Sequence, residues 1–527
     1  MRGYNGIVFE RGLLILMNKK YMRVIAGHGN KLYWGFFVLV LTYAFINAFY
    51  GIGSAPIVEW DEARHGVNAY EMIENGDYLI HTYLWDADFW NLKPPVSFWL
   101  VALAYRVFGY NAFALRFFSA LSLPLITASC MLFIKPFFGR QAALTAGLLF
   151  ASLGSRLNHM FLHGDPDALF FLWCFFSLLF LYLGFIKNIY YFLPGGVFFA
   201  LAFLTKATHV VILFIVGVIA FVSLRKEKKF FIKGFLFYSA AALLPVLAWA
   251  LWRYSRDGFD FLSAMVTTDV VARVTSAVEN HGHGLSYYFL VSQTRLGFFM
   301  FWGLLLSAAF ALVYWRRRNK GKRPISFEDR AYLIIFLSMG LTPYILFSLL
   351  PTKLSWYVYP GLIGFIMVAA WLLPHLTQDL LHKRDKSGLS EIMLFASVFC
   401  LGIGLFAYPS RERVQTYFDV NTIQPVSSIF YDDAFNGLTD GEERYYFVTT
   451  TQGNQTKLLQ SWTLQGIYSG FIYQKGSMED YLAVMDRTGY YLFVQYDTRE
   501  ALEAFMSQYP YLELIASNET TACFTAK

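Results

Sequence analysis

The chain has 527 residues, 57% of them hydrophobic and 15% charged, with a net charge of +7. Soluble domains carry about 25% charged residues, and the deficit here falls in long apolar runs separated by short Lys/Arg clusters, which excludes an ordinary soluble enzyme. The basic residues sit in the short connections where membrane orientation is decided, so the positive charge is not a nucleic-acid signature and no nucleic-acid partner is expected.

The N-terminal run GLLILMNKK is too short for a cleavable signal and lacks a small-residue cleavage site. The first span is expected at 33–54. Arg2, Arg11, Lys19, Lys20, Arg23 and Lys31 precede it, so residues 1–32 are read as cytoplasmic. The loop 55–94 follows on the far side and is acidic, with Glu59, Asp61, Glu62, Glu71, Glu74, Asp77, Asp86 and Asp88. The segment 95–108 is apolar and aromatic but short for ~30 Å of hydrocarbon, and it reads as an interfacial helix. Further spans are expected near 113–134, 141–161, 168–186, 189–204, 208–224, 234–252, 296–315, 331–350, 357–374 and 390–408, giving 11 in all. With 95–108 kept outside, every dense basic cluster falls inside, including Arg225–Lys233, Arg316–Arg323 and Lys383–Lys386.

The fold class is therefore a polytopic α-helical membrane protein, with a membrane domain over 33–409. Residues 410–527 read as a small extracytoplasmic α/β domain. In it RYYFVTTT and YYLFVQYD alternate like strands, and MEDYLAVMDRTG and TREALEAFMSQYP read as helices. Cys130, Cys174, Cys400 and Cys523 are scattered, without the spacing of a disulfide framework or a zinc site.

Charges beside membrane spans are costly and usually functional. The topology gathers such residues on the extracytoplasmic side. They are Asp61, Glu62, Arg64 and Lys93 in the first loop, Asp165 and Asp167 in the second, Lys206 in the third, Arg273, His281 and His283 in the fourth, and Lys353 and Tyr357 in the fifth. Carboxylates converging with Lys, Arg and His suit a bound phosphate beside a catalytic base. The residues alone thus suggest a transferase using a lipid-phosphate donor. Each has a plainer reading as well. Asp61 and Glu62 suit a helix N-terminus, and Arg64 suits a structural partner of theirs. Lys93, Lys206 and Lys353 suit snorkelling at the membrane edge. Asp165 or Asp167 suits a cap, and His281 and His283 suit a solvated Gly-rich loop.

WDEARHG followed by NLKPPVSFWL resembles the GT-C type membrane glycosyltransferases, in particular the bacterial branch of lipid A aminoarabinose transferases and relatives of protein O-mannosyltransferases. DALFFLW (167–173), LAFLTK (201–206), Arg273 and His281 ahead of Tyr287-Tyr288, and TKLSWYVYP (352–360) extend the resemblance in order. The resemblance implies an inverting glycosyltransferase with a polyprenyl-phosphate sugar donor, membrane lipids around it and a cell-envelope acceptor that is a lipid, glycan or protein. It implies Asp61 as the catalytic carboxylate. Lys93 and Arg273 would contact the donor phosphate near Tyr357, Asp167 would shape the acceptor or sugar side, and His281 would lie by the phosphate or a divalent ion. Glu62 is expected to orient Asp61 or bind substrate, and Arg64, Asp165, Lys206 and Lys353 are further substrate-side candidates. One departure stands out. Relatives often carry Glu immediately before the Lys-Pro pair as a metal ligand with His, and here that position is Leu92, leaving Asp88 and Asn91 as substitutes. The competing function is a transporter or flippase of lipid-linked sugars. Its essential charges would lie at the bilayer midplane in repeated halves, whereas here they gather in loops on one face. Either protein belongs in the inner or plasma membrane.

Overall fold

The structure is a computed structural model that describes residues 19–53, 57–58, 60–225, 231–277, 281–320, 325–381, 444–453, 460–517 and 521–527. Among these, seven helical segments are long and apolar enough to cross a membrane, or eight if one sharply bent pair counts as a span. The protein is a multi-pass membrane protein. The chain opens with α1 (Lys19–Phe49), then a loop helix α2 (Asp61–Glu74) and α3 (Val96–Phe108). Membrane helices follow as α4 (Ala112–Leu153), α5 (Asp167–Ile186), α6 (Phe192–Lys206), α7 (Val211–Leu224) and α8 (Phe231–Asp257). Next come α9 (Asp260–Val266), α10 (Tyr287–Leu296), α11 (Phe298–Lys320), α12 (Phe327–Leu349) and α13 (Gly361–Leu381).

Two hairpins and the bent pair bring the seven long segments to ten of the eleven expected spans. At 42 residues α4 would be about 63 Å long if straight, twice the hydrocarbon thickness. It breaks at Gly139, whose φ of 86° and ψ of 175° are non-helical. A Cβ on Gly147 would fall 2.4 Å from Met131, and one on Gly154 2.4 Å from Leu123, so the two arms pack antiparallel about the break. The segment Ile189–Leu224 folds likewise at Ala207, where φ is 32°, and brings the Phe192 and Phe221 rings to 5.3 Å. The bend before α11 is at Gly297, with φ of 79°. The expected crossing at 390–408 lies outside the described residues. The 13-residue α3 is about 20 Å long, too short to cross.

These hairpins sort the connections onto two ends. Phe138 beside Gly139 packs on Tyr332 and His375, and Lys187 lies over Phe137. That end holds a cleft of about 520 Å³ lined by Phe137, Tyr182, Asp329 and His375. The start of α4, the α4–α5 turn, the α6–α7 turn and residues 352–357 gather at the other end with α2.

Helix contacts depend on small residues, as expected where apolar lipid supplies little drive for helix association. A Cβ on Gly364 would lie 2.2 Å from the Gly340 nitrogen and 2.2 Å from the Phe336 carbonyl oxygen, both backbone atoms that cannot swing aside. Gly364→Leu is therefore expected to separate α12 from α13. Folded, monodisperse yield in detergent should fall severalfold, while Gly217→Leu, where the added atom meets nothing within 4 Å, should not change it. Equal yields would contradict the packing.

The C-terminal region forms a five-stranded sheet of β1 (Arg444–Thr450), β2 (Phe471–Tyr473), β3 (Tyr490–Gln495), β4 (Leu512–Ser517) and β5 (Thr521–Ala526). In spatial order it runs β2-β1-β3-β5-β4. The first three strands are parallel, and β5 pairs antiparallel with both β3 and β4. The strands over RYYFVTTT and YYLFVQYD are present, but each buries four consecutive residues where alternation is expected. Separate apolar clusters cover the two sheet faces, so both sets of side chains are inside. Helix α14 (Gln460–Tyr468) docks this region on the first loop: Leu464 and Ile467 join the Ala63, Val67 and Tyr105 cluster, and Tyr468 Oη lies 2.9 Å from Tyr105 Oη. Lys475 also pairs with Asp86.

Candidate active site

Helix α2 starts with Asp61 and Glu62, two acids at the positive end of its dipole. Trp60 before them has φ of 70°, and successive helical positions send the two neighbouring carboxylates to faces about 100° apart. Glu62 points inward. Arg116 holds it bidentately, Nε to Oε1 at 2.6 Å and Nη2 to Oε2 at 2.8 Å, with both side chains fully buried. The amides of Val58 and Gly164 donate to the same carboxylate at 2.8 and 2.7 Å. Burial alone would raise the Glu62 pKa, but Arg116 and these donors hold it at about 2. Glu62 therefore joins the first loop, α4 and the α4–α5 turn, and it has no face left for substrate. The expected substrate-side role for Glu62 is corrected to that of a buried clamp.

Asp61 points the other way. Its side chain is 41% exposed, and Lys93 Nζ donates to Oδ1 at 3.3 Å. Lys93, more than any other group, draws the Asp61 pKa down to about 2, with Lys206 and His159 adding to it against the effect of burial. Burial lowers the Lys93 pKa, but Asp61, Asp165 and Asp269 outweigh it and hold the ammonium charged.

The loop that presents Lys93 is built on a polar lattice. Arg64 is bidentate to Asp88 at 2.8 Å for both bonds and stacks over Tyr83 and Trp90. Asp88 also accepts from Asn68 and from the amides of Trp90 and Asn91. Asn91 donates to Asn68 at 2.8 Å, and its Oδ1 accepts from Lys93 at 2.7 Å. Arg64 thus positions Lys93 through Asp88 and Asn91. Its partner is Asp88, where the sequence suggested the Asp61-Glu62 pair or substrate.

Other expected residues divide into pairs. Asp167, in the first turn of α5, accepts from Lys206, in the last turn of α6, at 2.5 Å. Both are nearly buried, so each occupies the other, in contrast to their expected separate roles. Arg273 donates to the Tyr357 hydroxyl at 3.1 Å and pairs with Asp269 at 3.3 Å, which brings the two expected phosphate-side residues together. Lys353 is buried and donates to the Leu350 carbonyl at 2.6 Å, satisfying an acceptor just beyond α12. The structure thus places its ammonium at this helix end. The His281 carbonyl accepts from the Lys353 amide at 2.9 Å, pinning the fourth loop to the fifth. The His283 ring stacks on Tyr287.

The metal pair suggested by the resemblance does not fit these residues. Leu92 is 2% exposed in an apolar cluster with Leu79, Trp249 and Phe261. Asp88 and Asn91 are engaged in the lattice that carries Lys93, so neither replaces the missing carboxylate.

A family model described as dolichyl-phosphate-mannose-protein mannosyltransferase matches residues 92–252. An uncharacterized protein of Aquifex aeolicus (strain VF5) is 26% identical over 378 residues, which are 71% of this chain and 70% of that protein. The undecaprenyl phosphate-alpha-4-amino-4-deoxy-L-arabinose arabinosyl transferase of Yersinia pestis (strain Pestoides F) is 24% identical over 417 residues, 76% of this chain and 70% of that one. The crystal structure of ArnT from Cupriavidus metallidurans bound to undecaprenyl phosphate matches with a TM-score of 0.67 at 15% identity, over 93% of this chain and 98% of that chain. The chain shares the GT-C type membrane fold of that transferase and is similar in sequence to this group of glycosyltransferases.

Sequence reasoning missed Arg116, His159, His163 and Asp269. Arg116 had a signal, since an Arg inside an apolar span needs a buried acid as partner. His159 and His163 are four apart just before Asp165, a spacing that also was readable. Asp269 lies in a helical stretch that the sequence reading treated as loop.

Glu71, on the inner side of α2, gives a pH test of the loop. Burial raises its pKa to about 7, although Thr82 and the Trp85 amide donate to it. The folded state therefore holds an extra proton between the ordinary value of 4.5 and about 7, and stability falls as pH rises through that window. Glu71→Gln should remove this slope and stabilise the enzyme at pH 8 by on the order of 3 kcal/mol. Thermal unfolding from pH 5 to 8 checks it, and parallel curves for the two proteins would count against the assignment.

Proposed function

We propose that this enzyme transfers a sugar from a polyprenyl-phosphate donor to a cell-envelope acceptor, with inversion at the anomeric carbon and Asp61 as the catalytic base. One observation carries the reading. Of the four carboxylates expected in the site, the Asp61 side chain is 41% exposed, against 0% for Glu62, 3% for Asp165 and 10% for Asp167. It is the carboxylate still open to an incoming hydroxyl, and a Lys stands beside it.

The chemistry follows from that pair. Asp61 takes the proton of the acceptor hydroxyl as its oxygen bonds to the anomeric carbon. The bond from that carbon to the phosphate oxygen breaks, and polyprenyl phosphate leaves with the electron pair. Lys93 and Arg273 neutralise the departing phosphate, and Tyr357 holds Arg273 in place. In the substrate-free pair Lys93 keeps the Asp61 pKa at about 2, which makes a weak base. A donor phosphate competes for Lys93 and so raises the basicity of Asp61 when the donor is bound. The donor class is supported by the relatives: the Yersinia protein is named for an undecaprenyl phosphate sugar, and the Cupriavidus protein was crystallised with undecaprenyl phosphate. The charge pattern supports an N-terminus (1–32) in the cytoplasm and a membrane domain (33–409). It likewise supports the catalytic loop (55–94) and the C-terminal domain (410–527) being on the extracytoplasmic side of the inner or plasma membrane.

The test is transfer by the full chain in nanodiscs, supplied with synthetic polyprenyl-phosphate sugars and an envelope lipid extract. Polyprenyl phosphate should be released with a glycosylated product of inverted configuration. A product of retained configuration would exclude the single displacement. Movement of the lipid-linked sugar across vesicles without any product would favour the transporter reading.

A further inference from the structure

A second constellation lies beside the Asp61–Lys93 pair, where the expected Asp165 meets two histidines that the sequence reading did not include. After α4 the chain makes one helical turn, Asn158–Phe161. His159, His163 and Asp165 emerge from this turn and the residues after it. His159 Nδ1 is 3.6 Å and His163 Nδ1 3.8 Å from Asp165 Oδ2. One ligand atom from each of the three lies within 4.8 Å of the others, and among the described residues this is the one such group of His, Cys and carboxylates.

Three observations favour a ligand at its centre. First, the separations are too long for hydrogen bonds, yet close to the roughly 3.3–3.4 Å between ligands of a tetrahedral ion with ~2.0–2.1 Å bonds. With all three ligand atoms within 4.8 Å of one another, closing onto an ion requires side-chain movements of up to about 1 Å. Second, Asp165 is 3% exposed, and its Oδ1 has no partner. His163 Nδ1 and His159 Nε2 are likewise buried and unpartnered. Third, the His159 ring is fixed from outside, stacked on Trp356 at 4.0 Å, as a metal-ligating imidazole needs to be. Of the unpartnered atoms, His163 Nδ1 faces the cluster, 3.8 Å from Asp165 Oδ2, and without an ion it is left unmet.

We propose that His159, His163 and Asp165 form a binding site for one divalent transition-metal ion of the Zn²⁺ class. Two imidazoles and a carboxylate leave a coordination position open. The site lies close to the reacting groups, since the charge of His159 acts on Asp61 and that of Asp165 on Lys93. Its role rests on the function proposed above: the ion adds positive charge where the donor phosphate gathers negative charge, and its open position accepts an oxygen of phosphate or acceptor. It supplies by other residues the charge that Leu92 denies to a Glu–His pair.

Metal binding is measured without donor or acceptor, so its outcome is separate from that of glycosyl transfer. Full-length protein, freed of affinity tag and stripped with chelator, is titrated with Co²⁺. One equivalent should bind with the intense visible absorption of a four-coordinate site, and Zn²⁺ should displace it. His163→Gln and Asp165→Asn should each weaken binding at least tenfold, while the unfolding midpoint of each metal-free variant matches that of metal-free wild type. X-ray absorption of the Zn²⁺-loaded wild type, which depends on no variant, should show two imidazole ligands. A wild type that binds no stoichiometric Co²⁺ or Zn²⁺, a zinc shell without imidazole, or a double variant that binds as tightly as wild type overturns the site.

Discussion

Asp61→Asn is expected to lower sugar transfer by at least a hundredfold, the scale of lost general-base catalysis, while the protein still inserts, folds and binds donor. The amide matches the carboxylate in shape, and Lys93 keeps its 2.7 Å bond to Asn91. Transfer is followed by mass spectrometry of released polyprenyl phosphate, and donor binding by retention of the lipid through purification. Normal turnover would remove Asp61 from the role of base. The pH dependence sharpens the test. Because Lys93 holds the Asp61 pKa at about 2, the carboxylate is ionised throughout pH 5–8 in the free enzyme. The stability it contributes is present above its ordinary value of 3.8 and is lost only as pH falls through about 2. The pH profile of kcat/KM between 5 and 8 should therefore show no acid limb from Asp61. In Lys93→Met the carboxylate loses its main counter-charge, its pKa rises, and an acid limb should move up toward that range.

The second large effect is expected at the Glu62–Arg116 clamp. Each of Glu62→Gln and Arg116→Met leaves one fully buried charge without its partner, at a cost of about 3–5 kcal/mol. The double variant should be more stable than the sum of the two losses, because no orphan charge remains. Denaturation of purified protein in mild detergent measures all three. The clamp also bears on catalysis. Glu62 takes the Gly164 amide and Arg116 takes the Ile52 carbonyl, so the helix start that aims Asp61 is fixed from three sides. Residual folded Glu62→Gln should show a lower kcat with little change in KM for donor. Unfolding midpoints within about a degree of wild type would deny the clamp its structural weight.

Much of this molecule was legible in the residues because bilayer physics is severe and local. Apolar runs of span length, bounded by basic clusters, gave the series of crossings without any long-range information. A short 95–108 flanked by Pro94-Pro95 had to be something other than a span. The order of WDEARHG, NLKPPVSFWL, LAFLTK and TKLSWYVYP pointed to the GT-C glycosyltransferases, whose fold the chain shares. Which charged residues meet was not legible, because partners are separated widely along the chain. Arg116 lies 54 residues from Glu62, Lys206 39 from Asp167, and Tyr357 84 from Arg273.

The sequence by itself determined that the chain is a polytopic membrane protein, that its charged residues gather in the loops, and that Asp61 and Lys93 lead the first of them. Hydrophobic length and charge are properties of each segment, so no tertiary contact was needed to see them. Only the tertiary structure decided the fate of each charge. Asp61 and Glu62 are adjacent and chemically alike, yet Arg116 closes over one while the other faces an open side beside Lys93. Asp167 and Lys206 quench each other, Arg64 serves the loop through Asp88, and Lys353 caps a helix end. Burial and pairing separate a structural carboxylate from a reactive one, and both are set by what the fold brings within about 4 Å.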